Sequence, residues 1–161
     1  VIDESDEEFG RLFGRTYGGM VEAYQCEDAE VILVTIGSVT GTTRVVVDAC
    51  RAEGKKVGLL KLRCVRPFPT EKVAAIVKNA KAVGVMERDI SFGFEGAVYS
   101  DFNSALKQQG VDVPTYNYVG GLGGRSISKE DISSIFDALL AGNTEKPVEF
   151  INVRRDIDYG A

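Results

Sequence analysis

Three loops in this sequence carry residue types that could recognise a ligand or a partner. The first runs Gly120-Gly121-Leu122-Gly123-Gly124-Arg125-Ser126-Ile127-Ser128. Glycine reaches positive φ without penalty, so successive N–H groups can converge on one point, and a helix start behind them favours negative charge. Gly121, Gly123, Gly124, Arg125, Ser126 and Ser128 are therefore candidates for an anion or interface site. The other reading is a tight turn whose Arg125 pairs with a carboxylate of a neighbouring domain. The second loop, Arg88 to Gly96, places Arg88, Asp89, Ser91 and Glu95 beside two phenylalanines, Phe92 and Phe94. These residues suit a ligand crevice or a contact with another domain, and an Arg88–Asp89 pair would account for both charges. In the third, Pro67 and Pro69 fix φ on either side of Phe68, with Arg63 and Arg66 nearby. Phe68 is expected as a core anchor, with a ligand contact as the alternative.

The chain contains no histidine. It cannot by itself build Ser–His or Cys–His nucleophile pairs, histidine-ligated metal sites or histidine base chemistry. Cys26, Cys50 and Cys64 are scattered, without a Cys-x-x-Cys pair, so neither a disulfide framework nor a zinc or iron–sulfur site is expected. Gly37 and Gly41 give G-x-x-x-G where a dinucleotide fold needs G-x-G-x-x-G, and no phosphate-binding G-x-x-x-x-G-K-[ST] occurs.

The elements that would position these loops alternate between strand and helix. Val31–Ile36 is a continuous apolar run, the pattern of a strand buried on both faces. A helix follows with Val45, Val46, Ala49 and Cys50 inward, then a strand at Val57–Leu62. Thr70 is expected to cap a helix carrying Val73, Ile76, Val77 and Ala80. Further strands are expected at Val83–Met86 and Val113–Val119, and helices carrying Val98, Phe102, Ala105 and Leu106, then Ile132, Ile135, Phe136, Leu139 and Leu140. Ser128 with Asp131 reads as a capping box for the last helix. The tail with Val148, Phe150 and Ile151 adds an edge strand or trails away. This alternation predicts a parallel α/β sheet with helices on both faces. Residues 1–30 read as a helical connecting arm, with Phe9, Leu12, Phe13, Tyr17, Met20, Val21 and Tyr24 on one face, and residues 31–161 as the α/β domain.

A length of 161 residues allows one ordinary domain, or one with an arm. The net charge of −5 argues against non-specific binding to nucleic acid or an anionic membrane. The uncharged apolar run Val31–Val39 is far too short to span a bilayer. An acidic amino-terminal stretch, Asp3 to Glu8, is the opposite of a secretory signal, and a cytoplasmic location is expected. Val1 is no initiating methionine, so a segment of a longer polypeptide is expected.

Five stretches in order carry a resemblance. Glu27-Asp28-Ala29-Glu30, Thr35-Ile36-Gly37-Ser38, Arg66-Pro67-Phe68-Pro69, Glu87-Arg88-Asp89 with Ser91-Phe92-Gly93, and Gly121-Leu122-Gly123-Gly124-Arg125 together resemble the alpha subunit of 2-oxoacid:ferredoxin oxidoreductases, the pyruvate type (pyruvate synthase) most of all. The resemblance runs from Phe9 to Leu140. It implies a transketolase C-terminal-like domain, a three-layer α/β/α sandwich with a mostly parallel five-stranded sheet. It implies an enzyme that oxidatively decarboxylates a 2-oxoacid to acyl-CoA, using thiamine diphosphate with magnesium, iron–sulfur clusters and coenzyme A, and that passes electrons to ferredoxin. This segment is then expected to hold none of those cofactors and to have no catalytic residue. Its role is expected to be contact with other domains and subunits, with Arg66, Phe68, Arg88, Asp89, Ser91 and Phe92 as interdomain candidates. Ser126 departs from the family pattern, which has Asp there. The alternative is a free-standing anion or small-molecule module built on Gly120–Ser128.

Overall fold

A computed structural model describes residues 1–144 and 147–153 of the chain. The elements are α1 (Ile2–Phe13), β1 (Val21–Tyr24), β2 (Val31–Ile36), α2 (Val39–Ala52), β3 (Val57–Leu62), α3 (Thr70–Val77), β4 (Ala82–Glu87), α4 (Ala97–Gln108), β5 (Thr115–Val119), a 3-10 turn (Leu122–Gly124), α5 (Lys129–Ala141) and β6 (Val148–Phe150). They form one sheet in the order β1-β3-β2-β4-β5-β6. Only β1 runs antiparallel to its neighbour; the other pairs are parallel. The expected five strands become six because a short strand is added in the lead-in, Val21 opposite Leu62 and Tyr24 opposite Leu59.

The sheet is covered on both faces, which is why β2 and β4 are apolar almost throughout. On one side Val31, Leu33 and Leu59 pack against Val46, Val47 and Cys50 of α2 and Ile132, Ile135, Phe136 and Leu139 of α5. On the other, Ile32, Val34, Leu60 and Val85 meet Val73, Ala74 and Val77 of α3 and Tyr99, Phe102 and Leu106 of α4. The result is the expected three-layer α/β/α sandwich. The inward face of α2 differs from the expectation: Val45 is 47% exposed, and Thr43 and Val47 are the fully buried positions. Thr70 is the first helical residue of α3 and not its cap, with Pro69 before it and no side-chain capping bond.

The helical reading of residues 1–30 holds only over Ile2–Phe13. Helix α1 ends at Gly14, which takes the left-handed C-cap conformation (φ 70°), and Thr16 folds back against Gly10 where a Cβ would collide with it. No residue of α1 is buried. Instead, Asp6 accepts hydrogen bonds from the N–H groups of Tyr17, Gly18 and Gly19, and Asp3 accepts from Met20 N–H and pairs with Lys72 of α3 at 2.6 Å. Met20, Val21 and Tyr24, expected on the helix face, lie in or beside the edge strand. The domain end expected at residue 161 falls outside the described residues.

Candidate functional site

The carboxyl ends of parallel strands gather all three loops picked out from the sequence. Strand β2 is followed by β3 on one side and has β4 on the other, so the order reverses between β2 and β4, the position where open α/β sheets place ligands. Strand β4 ends there in Glu87, a residue whose local sequence pattern signals no role of its own. Glu87 is 1% exposed. Its carboxylate accepts from Val98 N–H at 2.8 Å, Tyr99 N–H at 3.1 Å and Asn117 Nδ2 at 2.9 Å. It therefore caps the first turn of α4, a place where helix N–H groups and dipole favour an anion. Gly96 is needed there because any Cβ would overlap the Glu87 carboxylate. Buried Asn117, on β5, accepts from Gly96 N–H at 2.8 Å and donates to Val85 O at 3.3 Å. Burial pushes the Glu87 carboxyl up to about 7, against the lowering effect of the Val98 and Tyr99 N–H groups, and the neighbouring Asp89 carboxyl adds to the rise.

Arg88 does not pair with Asp89. No carboxylate among the described residues lies in salt-bridge range of Arg88 or Arg125. The Arg88 guanidinium lies along the backbone of Gly121, where a Cβ would sit 2.5 Å from Nε. The first and second loops thus touch: Gly120 N–H also donates to Glu87 O at 3.0 Å. Part of the glycine loop's set of backbone donors is engaged within the domain. The N–H groups of Gly124 and Arg125 bond to Gly121 O and Leu122 O, closing the 3-10 turn. At the start of α5, Ser128 N–H and Asp131 N–H are consumed by the reciprocal capping box, as the sequence predicts. Arg125 Nη1 donates to Asn152 O at 2.9 Å, and the Asn152 amide reaches Ser126 O and Asp131, so this loop is laced to the residues after β6.

Arg66 forms a two-pronged pair with Asp101 of α4, at 2.6 and 3.2 Å. Phe68 is half-buried against the α3–α4 side of the core, in keeping with an anchor. Ser91, Phe92 and Phe94 stand on an exposed turn. Phe92 is 102% and Phe94 68% exposed.

The described residues offer no donor set that fits a metal or iron–sulfur group. Among the described residues no three His, Cys, Asp or Glu side chains gather to hold a metal. Cys26 donates to Leu59 O, and burial pushes its thiol up to about 11; Cys50 is raised by burial as well. Neither thiol is poised to become the thiolate that a cluster requires. No described helix is long and apolar enough to cross a membrane.

A family model described as pyruvate:ferredoxin oxidoreductase core domain II matches residues 29–132. The pyruvate synthase subunit PorA of Methanothermobacter thermautotrophicus is 42% identical over 156 residues, 97% of this chain and 39% of that subunit. The chain thus spans about two fifths of the length of the curated relatives it matches. Among solved structures, a 2-oxoglutarate:ferredoxin oxidoreductase from Magnetococcus marinus, with 2-oxoglutarate, coenzyme A and succinyl-CoA bound, superposes with a TM-score of 0.58 at 21% identity, covering 83% of this chain and 21% of that one. A split-gene transketolase, an inactive beta4 tetramer, also gives 0.58, at 17% identity, over 71% of this chain and 40% of that one. At these identities the structures establish a shared fold.

Proposed function

The chain belongs to the pyruvate:ferredoxin oxidoreductase core domain II family, and from that membership we propose that it is one domain of the alpha subunit of a 2-oxoacid:ferredoxin oxidoreductase, with pyruvate as the oxoacid. The observation that carries this is the 42% identity sustained over 97% of the chain. The complete complex oxidatively decarboxylates its substrate to acyl-CoA and reduces ferredoxin, with thiamine diphosphate, magnesium and iron–sulfur clusters held outside this domain. Three free cysteines suit work in the reducing cytoplasm.

Within that enzyme the domain is a scaffold. The Arg125 guanidinium is tied to Asn152 O and Ser128 N–H to its own cap, which supports an interface role for Gly121, Gly123, Gly124, Arg125, Ser126 and Ser128 over an anion-binding one. Helix α1 serves as the connecting element. The test is ferredoxin reduction by the native complex containing this chain, with coenzyme A and, in turn, pyruvate, 2-oxoglutarate and a branched-chain 2-oxoacid. Pyruvate- and coenzyme-A-dependent reduction is expected. Preference for another acid would correct the substrate, and no oxoacid-dependent reduction would overturn the proposal.

A further inference from the structure

We propose that the Ser91–Gly96 turn is a docking knob that seats Phe92 and Phe94 in an apolar recess, rimmed by a carboxylate, in the part of the family subunit outside the stretch this chain spans; this rests on the function proposed above. Two phenylalanines standing in water at the tip of one turn are rare on a surface with no partner, and buried aromatic anchors dominate interface energetics. The turn holds them in place. Ser91 N–H donates to Glu95 O at 3.0 Å, Phe94 N–H to Ser91 O at 2.9 Å, and Gly93 supplies the left-handed corner at φ 74°.

Both ends of the turn are tied to the body of the domain. Ser100 Oγ on α4 donates to Glu95 Oε1 at 2.8 Å, and at the other end the chain leaves β4 directly from buried Glu87. The backbone of the turn is therefore preorganised, and docking costs chiefly the rotamer freedom of the two rings. The other exposed aromatics, on and after α1, differ in this respect: Phe9 stacks on Phe13 with centroids 4.5 Å apart and on Tyr17 at 5.9 Å.

Two observations point to the occupant. The relatives carry about three fifths of their length beyond the stretch matched here, enough for a further domain in the same polypeptide. Arg88, at the base of the knob, is exposed and held against Gly121 with no acidic partner among the described residues, so a carboxylate on the facing rim complements it. A second copy of this domain is a poorer match, because it would bring Arg88 towards Arg88 or Arg125 if the same surface met itself.

The experiment uses the native complex. Hydroxyl-radical labelling is read at Phe92 and Phe94, and a photo-crosslinking phenylalanine analogue is placed at position 92 to identify what it touches. Loss of labelling at both rings relative to the unfolded chain, with a crosslink to the same subunit outside the matched stretch, is expected. Labelling equal to the unfolded chain overturns the proposal, as does a crosslink to a second copy of this domain, to another subunit or to lipid. Arg88→Glu supplies a further arm: labelling at Phe92 and Phe94 should return while the hydrogen exchange of β4 stays unchanged, and full protection in this variant removes the carboxylate rim. Pyruvate-dependent turnover is measured on the same preparation. Turnover with exposed rings defeats the docking proposal alone, and buried rings without turnover defeat the functional proposal alone.

Discussion

At the scale of single residues, Glu87 sets a pH dependence with a definite sign. Its folded-state pKa of about 7 lies above the ordinary 4.5, so the folded protein binds the extra proton. That contribution to stability is fully present below about pH 4.5 and is lost as pH rises through about 7. The loss is at most about 3 to 4 kcal/mol, from roughly 1.4 kcal/mol per pKa unit. Denaturant unfolding between pH 4.5 and 8 should therefore show stability falling with pH, and Glu87→Gln should flatten the slope. Asp131 titrates the other way. Burial would raise it, but hydrogen bonds from Ser128 and Asn152 hold it below the usual carboxylate range, so its contribution is present above its ordinary pKa near 4 and is lost in stronger acid. The two windows do not overlap. Little of the Glu87 cluster was legible in the sequence. A charged residue closing an apolar strand reads by default as the point where the chain meets solvent. Its burial depends on Gly96 and on Asn117, which is 30 residues away and meets it only because β4 and β5 pair.

Among the elements, α5 was legible down to its first turn, because a capping box is a local pattern that needs no tertiary contact. Ser128→Ala should cost about 1 kcal/mol in thermal or denaturant unfolding, the ordinary value of such a cap. The lead-in departs from its helical pattern for an equally physical reason. Phe9, Leu12 and Phe13 have true helical spacing, and Tyr17, Met20, Val21 and Tyr24 continue it by coincidence, while Val21-Glu22-Ala23-Tyr24 also alternates with the period of a strand. An edge position beside β3 decides between them, and that position cannot be seen in a local window. Helix α1 is held by carboxylates and not by burial. Asp6→Ala should therefore speed amide hydrogen exchange at Tyr17, Gly18 and Gly19 and leave β2 and β4 protected. Unchanged exchange at those three amides would mean that the helix is retained by something else.

For the whole molecule, the layer order followed from apolar runs long enough for strands and faces spaced for helices, so the three-layer sandwich was readable. The placement of the loops was readable only in part. The alternation puts the Arg63–Phe68, Arg88–Gly96 and Gly120–Ser128 loops at the carboxyl edge of the sheet, but not the contact of Arg88 with Gly121 or the tie of Arg125 to Asn152, which depend on side-chain packing. The reversed direction of β1 has a practical corollary. Because β1 runs against β3, residues 1–20 enter at the same edge from which those loops emerge, with Ile2, Phe9 and Tyr17 beside Arg63. A fluorescent reporter attached to an exposed position of α1 would therefore share the edge that carries the aromatic turn. An attachment point at the far edge of the sheet, beside Lys56 or Asn79, would leave that surface clear for immobilised binding measurements.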